Sequence, residues 1–291
     1  MTTITAVVPA YNAEKYLEQS LMSVLKQTRP CDEIVVVDDG SLDGTADVAR
    51  SFPEVRYIYQ DNRGDADARN RAISETSSDF IAFLDADDLW KPEKLHLQLQ
   101  MFESRPSLGM VYTGVEVVNE ELQRLEILRP ATNEVAFRNT LIVEKPYMTG
   151  VGSSGLVRTS IARAIGFDPR LGASADWAFA CYVALSHEVD AVQAPLILYR
   201  QHSDSQVHLN LRAVEHDMRL VWSEIFDHPD MDPKLRFLRR RALANLSLSL
   251  AASYFKRGDR RSFLRYLARA FLLRPDRVTA ALWRRYLVPP S

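Results

Sequence analysis

An α/β fold, with a mainly parallel central sheet flanked by helices and an all-helical segment at the C-terminal side, is what the sequence predicts. Three observations predict it. TITAVVP (3–9), EIVVVDD (33–39), VRYIY (55–59) and FIAFLD (80–85) are short, β-branched and nearly continuous in hydrophobicity, as strands buried on both faces are. Helical patterns separate them at intervals of roughly 25 residues, the alternation of βαβ units. From about residue 207 the strand pattern stops, and only three- and four-residue apolar spacing continues.

Taken in order, AEKYLEQSLMSVLKQ (13–27) sets Tyr16, Leu17, Leu21, Val24 and Leu25 on one helix face, and DGTADVARSF (43–52) and DADARNRAIS (65–74) supply the next two helices. MVYTGVEVVN (110–119) alternates as a strand, whereas 120–145 carries no clear period. GVGSSGLV (150–157) reads as a strand opened by Gly and Ser. TSIARAIG (159–166) and ADWAFACYVALS (175–186) read as helices, and EVDAVQAPLILYR (188–200) as a last strand. The expected division is an α/β domain over 1–206 and a helical, basic segment over 207–291, with Gly258 at the turn of a helical pair packed on the main domain.

Composition narrows the class. Hydrophobic residues are 46% and charged residues 25% of 291, ordinary for a folded globular chain. Cys31 and Cys181 have no metal-ligand spacing and suggest small buried side chains in a reducing compartment. No basic n-region with an apolar stretch opens the chain, and no apolar run reaches about 18 residues, so a cytoplasmic location is expected. Residues 207–291 hold 17 Lys and Arg against 8 Asp and Glu, while the rest of the chain is acidic.

In parallel sheets, ligands bind outside the carboxyl ends of the strands. Those ends here read Pro9-Ala10-Tyr11-Asn12, Asp38-Asp39-Gly40-Ser41 and Asp85-Ala86-Asp87-Asp88, so three polar clusters share one sheet edge. Crowded carboxylates repel unless a cation sits between them, and oxygen ligands suit Mg²⁺ or Mn²⁺, which complete their shells with water and phosphate. The cluster therefore predicts a metal, and the metal a phosphate. Neither a phosphate-loop signature nor GxGxxG occurs, which removes the usual support for ATP hydrolysis or dinucleotide redox chemistry. A phosphatase of the haloacid dehalogenase type also uses Asp-x-Asp after an apolar strand, but there the motif belongs on the first strand, and here it ends the fourth.

VVPAYNAEKYLEQSLMSVLKQT, EIVVVDDGSLDGT, NRGDADARNRAI and FIAFLDADDLWKPEKL, in this sequence and spacing, resemble the N-terminal half of the family 2 glycosyltransferases, which have the GT-A fold. The resemblance covers roughly residues 3 to 205. It implies an inverting enzyme that passes a sugar from a nucleotide diphosphate sugar to a hydroxyl of a glycan or lipid-linked acceptor, as in synthesis of bacterial cell-surface polysaccharide. Pro9, Ala10 and Tyr11 fall where the family grips the base, and Asp39 where a carboxylate accepts the base imide N–H, which favours UDP. Arg69 matches an Arg near the nucleotide or diphosphate. Asp85 matches the first carboxylate of the family's Asp-x-Asp, near the ribose, and Asp87 the second, the direct ligand of Mg²⁺ or Mn²⁺. Asp88 is expected to be structural, or to support the metal ligands from behind.

Farther along, Asp176 falls where the family places the base that deprotonates the acceptor, although Ala175 stands where a Glu is usual. Trp177 follows it as an aromatic beside the acceptor. In LYRQHSDSQ (198–206) the resemblance assigns Arg200 to the diphosphate and His202 to the metal, and it sets Ser153 and Ser154 against the acceptor. A non-catalytic scaffold that binds nucleotide sugars is the alternative from another class. No nucleic-acid partner is expected. Arg239, Arg240, Arg241, Arg257, Arg260, Arg261, Arg265 and Arg269 suggest a peripheral contact with the inner face of a membrane.

Overall fold

A computed structural model describes residues 2–144, 148–202 and 211–276. Among these, nine strands form one sheet: β1 (Ile4–Ala10), β2 (Glu33–Asp39), β3 (Val55–Gln60), β4 (Phe80–Phe83), β5 (Leu89–Trp90), β6 (Leu108–Val118), β7 (Arg124–Leu128), β8 (Leu156–Arg158) and β9 (Glu188–Arg200). Their order is β3-β2-β1-β4-β8-β6-β9-β5, with β7 paired to β6. The first four run parallel, β8 lies antiparallel between β4 and β6, and β6 and β9 are again parallel. β5 and β7 add antiparallel edges.

Alternation along the central strands sends side chains to two cores. Ile4, Ala6, Val8, Ile34, Val36, Phe80 and Ala82 pack on one face with Leu17, Leu21 and Val24 of α1 (Leu17–Leu25) and with α4 (Lys94–Ser104). α2 (Thr45–Arg50) adds Ala49 to that face. Val7, Val35, Val37, Ile81 and Phe83 meet α3 (Asp65–Glu75), α7 (Thr159–Ile165) and α8 (Ala175–Ser186) on the other. A fully buried Leu such as Leu17 or Leu21 contributes about 1.5–3 kcal/mol. Pro9 is tolerated in the sheet interior because the β1–β4 pairing ends at Val7, before its missing N–H could weaken the ladder.

The C-terminal helices α9 (Leu211–Ile225), α10 (Arg239–Lys256) and α11 (Arg260–Leu273) share the second core. Trp222 is buried, meets Trp177 edge-on at 5.9 Å and donates from Nε1 to Leu141 O at 2.8 Å. Asn245 donates to Ile142 O at 2.8 Å. Both acceptors lie at the end of α5 (Asn133–Leu141). Gly258, at φ +76°, makes the expected turn between α10 and α11. Several of the basic side chains are neutralised within the fold: Arg239 pairs with Asp227, Arg241 with Glu144, and Arg269 with Glu215. No helix among the described residues is long and apolar enough to cross a membrane.

Three local readings change. Residues 150–157 are not one strand: Gly150 takes φ +51°, Ser153 and Ser154 donate N–H back to its carbonyl, and Val151–Ser154 forms a helical turn, α6, before β8. Leu25 is exposed, and Tyr16 precedes α1 instead of lying on its buried face. The unreadable stretch holds β7 and α5; exposed side chains from Arg124 through Ile127 explain why no hydrophobic alternation marks β7. The boundary at 206 falls outside the described residues.

Candidate active site

The site is assembled at the carboxyl ends of β1, β2 and β4. Asn12, at φ +48°, donates its N–H to Ser41 Oγ at 2.9 Å, and its Oδ1 accepts from Leu42 N–H at 2.9 Å, so the loops after β1 and β2 are stitched together. Asn tolerates this left-handed conformation better than most residues. Gly40, at φ +78°, is required by close approach as well as conformation, since a Cβ there would stand 2.8 Å from Asn62 N. Pro9 and Ala10 are buried and Tyr11 is 48% exposed, so of the three the tyrosine ring is the one open to a ligand.

Asp39 is buried at the end of β2. Its Oδ1 accepts from Gln60 Nε2 at 2.7 Å and Arg63 N–H at 2.9 Å, and its Oδ2 accepts from Gly64 N–H at 2.7 Å. An ionised carboxylate has about four acceptor positions, so roughly one remains. Neighbouring Asp38 takes Tyr57 O–H at 2.6 Å and Ser41 N–H at 2.8 Å and is a turn-building residue.

After β4 the three aspartates take different places. Asp85 Oδ1 accepts from Arg69 at 2.5 Å, and buried Arg69 also pairs with Asp65 and lies over the Phe167 ring. Burial pushes the Asp85 carboxyl up to about 6; Arg69 pulls the other way, while Asp87 and Asp176 add to the rise. Its side chain keeps 34% of its surface exposed. Asp87 Oδ2 stands 2.9 Å from His202 Nε2. Asp88 is 0% exposed, accepts from Ser153 O–H at 2.6 Å and from Arg200 N–H at 3.0 Å, and is held well above its ordinary pKa by burial and by Asp87 and Asp85.

The downstream candidates divide. Asp176 lies in the first turn of α8, but Ser174 is the residue before the helix and no side-chain cap forms; the Asp176 carboxylate accepts the neighbouring Trp177 N–H at 2.7 Å. Its charge reaches Asp85. Arg200, expected to face a diphosphate, is 2% exposed. It donates to Asp87 O at 2.9 Å, Glu120 O at 3.2 Å and Gln19 Oε1 at 2.6 Å, with its guanidinium 4.5 Å from the Tyr16 ring centre. Here it holds the aspartate turn.

Ser153 and Ser154, expected against an acceptor, are buried and bonded within the protein, Ser154 Oγ to Thr149 O at 2.6 Å. The turn of α6 points both hydroxyls inward. The Trp177 ring packs on Trp222 and donates to Thr140 O at 3.2 Å. Ser203 to Gln206 of the LYRQHSDSQ segment lie outside the described residues.

Two residues were missed. Tyr16 carries the Arg200 guanidinium over its ring and meets the His202 ring at 5.1 Å in a tilted contact, but its apolar helix spacing disguised it as core. Gly152 lets α6 touch the cluster, since a Cβ would stand 3.0 Å from Asp85 Oδ2 and 3.4 Å from Arg69 Nη2. Glycine was visible at 152, but its neighbour in space was not.

Comparison with known proteins decides the family. The sequence pattern of the family described as Glycosyl transferase family 2 matches residues 5–165, more than half of the chain. The chain belongs to glycosyltransferase family 2. This glycosyltransferase is 34% identical over 148 residues to TuaG of Bacillus subtilis, named for teichuronic acid biosynthesis, covering 48% of this chain and 58% of that protein. It is 38% identical over 119 residues to WfgD of Escherichia coli, a UDP-Glc:alpha-D-GlcNAc-diphosphoundecaprenol beta-1,3-glucosyltransferase, covering 40% of this chain and 47% of that one. The match thus spans about half the length of these relatives.

Among solved structures, S. aureus TarS 1–349 in complex with UDP-GlcNAc superposes with TM-score 0.71 at 20% identity, over 96% of this chain and 83% of that one. Mannosyltransferase PcManGT from Pyrobaculum calidifontis, in complex with GDP-Man and Mn²⁺, gives 0.62 at 20% over 97% and 78%. At such identity these likenesses establish the GT-A fold of this glycosyltransferase. Family membership removes the phosphatase reading.

Proposed function

We propose that this family 2 glycosyltransferase is metal-dependent and inverting, and that it moves a sugar from a UDP-sugar to a hydroxyl of a glycan or lipid-linked acceptor. The observation that carries the reading is the meeting of Asp87 and His202 at 2.9 Å from opposite parts of the chain, beside the Asp85–Arg69 pair and within electrostatic reach of Asp176. Among the described residues no group of three His, Cys, Asp or Glu could hold a metal ion alone. The Asp87 carboxylate nevertheless suits Mg²⁺ or Mn²⁺, which take one or two carboxylates and complete their shells with water and phosphate oxygens, and His202 Nε2 adds a nitrogen donor beside it. When bound, the ion supplies positive charge to the departing diphosphate.

The chain's own residues do the rest. Asp39 offers its remaining acceptor position to the base imide N–H, and Tyr11, after β1, presents an exposed ring to the base. Arg69 holds Asp85 in place after β4. As the acceptor oxygen bonds to the anomeric carbon, its proton passes to the Asp176 carboxylate and the electron pair of the breaking C–O bond leaves with the diphosphate, inverting the centre. WfgD, a UDP-Glc-using relative, and the UDP-GlcNAc complex of TarS support UDP; the GDP-Man complex of PcManGT marks the competing base.

The test is a panel of UDP-, dTDP- and GDP-sugars scored by thermal shift with and without Mn²⁺. A UDP-sugar shift that needs Mn²⁺ and vanishes in Asp87→Ala is expected. A shift unaffected by metal would overturn the metal assignment, and a GDP-only response the base assignment. A scaffold would show the shift yet no product with any acceptor.

A peripheral membrane contact has its own support. On α11 the exposed side chains Arg261, Leu264, Arg265, Phe271 and Leu272 fall at helical spacing on one stripe, and the helix contains no acidic residue. Trp283 and Tyr286 lie outside the described residues. Co-sedimentation with phosphatidylglycerol vesicles is expected to fall in the triple variant Leu264→Glu, Phe271→Glu, Leu272→Glu. Unchanged binding would sink this contact.

A further inference from the structure

We infer that Asp88 is the positioning residue that sets the approach of Asp87 to His202, by tying the turn after β4 to the end of β9 and to α6. The inference rests on the reading of Asp87 and His202 as the metal pair. These two residues are 115 positions apart. A site with two ligands among the described residues depends on how firmly their backbones are fixed to each other.

β5 and β9 begin the attachment, with Leu89 opposite Leu198 and Trp90 opposite Ile197. The ladder stops there, and its place is taken by the Asp88 side chain, whose Oδ1 accepts the Arg200 N–H at 3.0 Å. Arg200 returns a bond from Nε to Asp87 O at 2.9 Å. The other oxygen of Asp88 accepts from Ser153 O–H at 2.6 Å, and Ser153 Oγ in turn accepts from Asp85 N–H at 3.1 Å. Ser20 Oγ shares its one proton between Ala86 O at 2.7 Å and Asp88 O at 2.8 Å and closes the turn from the α1 side.

Each carboxylate oxygen of Asp88 already accepts from a protein donor and the side chain is 0% exposed, so its place in this arrangement is behind the ligands and not among them. A buried carboxylate beside two others opposes folding, and an apolar residue could fill the same space at less cost. What the carboxylate provides that an apolar residue would not is two acceptors at fixed angles. One faces the strand that ends two residues before His202, and the other faces α6. Ser153 is then the relay between Asp88 and the backbone of Asp85.

The test measures Mn²⁺ binding to the full chain in the presence of UDP, from the paramagnetic resonance signal of free Mn²⁺, alongside thermal melts of the metal-free protein. Asp88→Asn, which loses one acceptor, and Ser153→Ala, which loses the relay, are expected to weaken Mn²⁺ binding about 10-fold or more, as outer partners of metal ligands do. Their kcat is expected to recover at high Mn²⁺. Thr149→Val, which removes the buried bond from Thr149 Oγ1 to Thr113 O, serves as the comparison for lost stability and should leave Mn²⁺ binding unchanged.

Wild-type affinity in both Asp88→Asn and Ser153→Ala overturns the inference, as does equal weakening in Thr149→Val. If Asp88→Asn does not fold, Ser153→Ala decides alone. Binding unchanged in Asp87→Ala would instead bring down the ligand reading, and this inference with it.

Discussion

Asp176 and Lys94 show how one residue's surroundings decide its chemistry. Asp176 accepts one short bond from its neighbour's N–H and caps nothing, so its carboxylate stays available to a proton. Asp176→Asn is expected to lower kcat by about 10²–10⁴, the usual worth of a general base, with little change in donor KM. Steady-state kinetics check this, and a wild-type kcat would dismiss the assignment. Lys94 is a different case: 0% exposed, without a hydrogen-bond partner among the described residues, its ammonium 4.2 Å from the Trp90 ring centre. Burial lowers its pKa from 10.5 to about 7. The unfolded chain then holds a proton that the folded chain releases between pH 7 and 10.5. The penalty is complete below pH 7, and stability rises with pH through that window by at most about 1.4 kcal/mol per unit. Lys94→Met is expected to melt higher than wild type at pH 7 and to lose this part of the rise toward pH 10. A lower melting temperature at pH 7 would mean that the contact with Trp90 outweighs burial.

At the scale of elements, α6 governs the cleft because Gly152 allows it to touch Asp85 and Arg69. Gly152→Ala places a Cβ 3.0 Å from Asp85 Oδ2, closer than ordinary contact, and the nearest atoms belong to the ion pair. The expected result is a several-fold rise in donor KM with a melting temperature within a few degrees of wild type; steady-state kinetics and a melt decide, and an unchanged KM would show that the pair shifts without consequence. This element also shows where the sequence was legible. β9 and α8 run over 188–200 and 175–186, the ranges read from the sequence, because each is one long apolar run bounded by polar residues. α6 was misread because four residues are too few for a period, and its Gly and Ser serve a turn equally well. β5 was missed because two residues carry no alternation, and its pairing depends on β9, more than 100 residues away. The site divides in the same way. Asp85, Asp87 and Asp39 were visible as polar ends of buried strands, whereas the burial of Arg200 and Ser153 follows from contacts between distant segments that no local pattern encodes.

Across the whole molecule, the basic C-terminal segment reads from sequence as helices packed on the main domain, and its buried side chains share the core that carries Phe83, Phe167 and Phe179. Val221, Trp222, Ile225, Ala242 and Leu246 belong to the same apolar cluster as Phe83, Phe167 and Phe179, and Phe167 carries Arg69 on its ring. The cleft therefore rests on a core that the helices close. A chain ending at residue 206 would leave Trp177 and Leu141 without Trp222, and it is expected to be insoluble or to bind hydrophobic dye instead of behaving as a smaller enzyme. Trp222→Ala grades the same dependence within the full chain. Removing a fully buried Trp costs about 3–5 kcal/mol, to which the loss of its bond to Leu141 O adds, and this is a large share of the 5–15 kcal/mol that holds a typical domain. Chemical denaturation should show the midpoint shifting to lower denaturant. UDP-dependent thermal shifts, where protein remains folded, should persist because Trp222 touches no proposed ligand residue except through Trp177. A truncated chain that unfolds cooperatively at the wild-type midpoint would establish instead that the α/β part folds alone and that the helices are a separable tail.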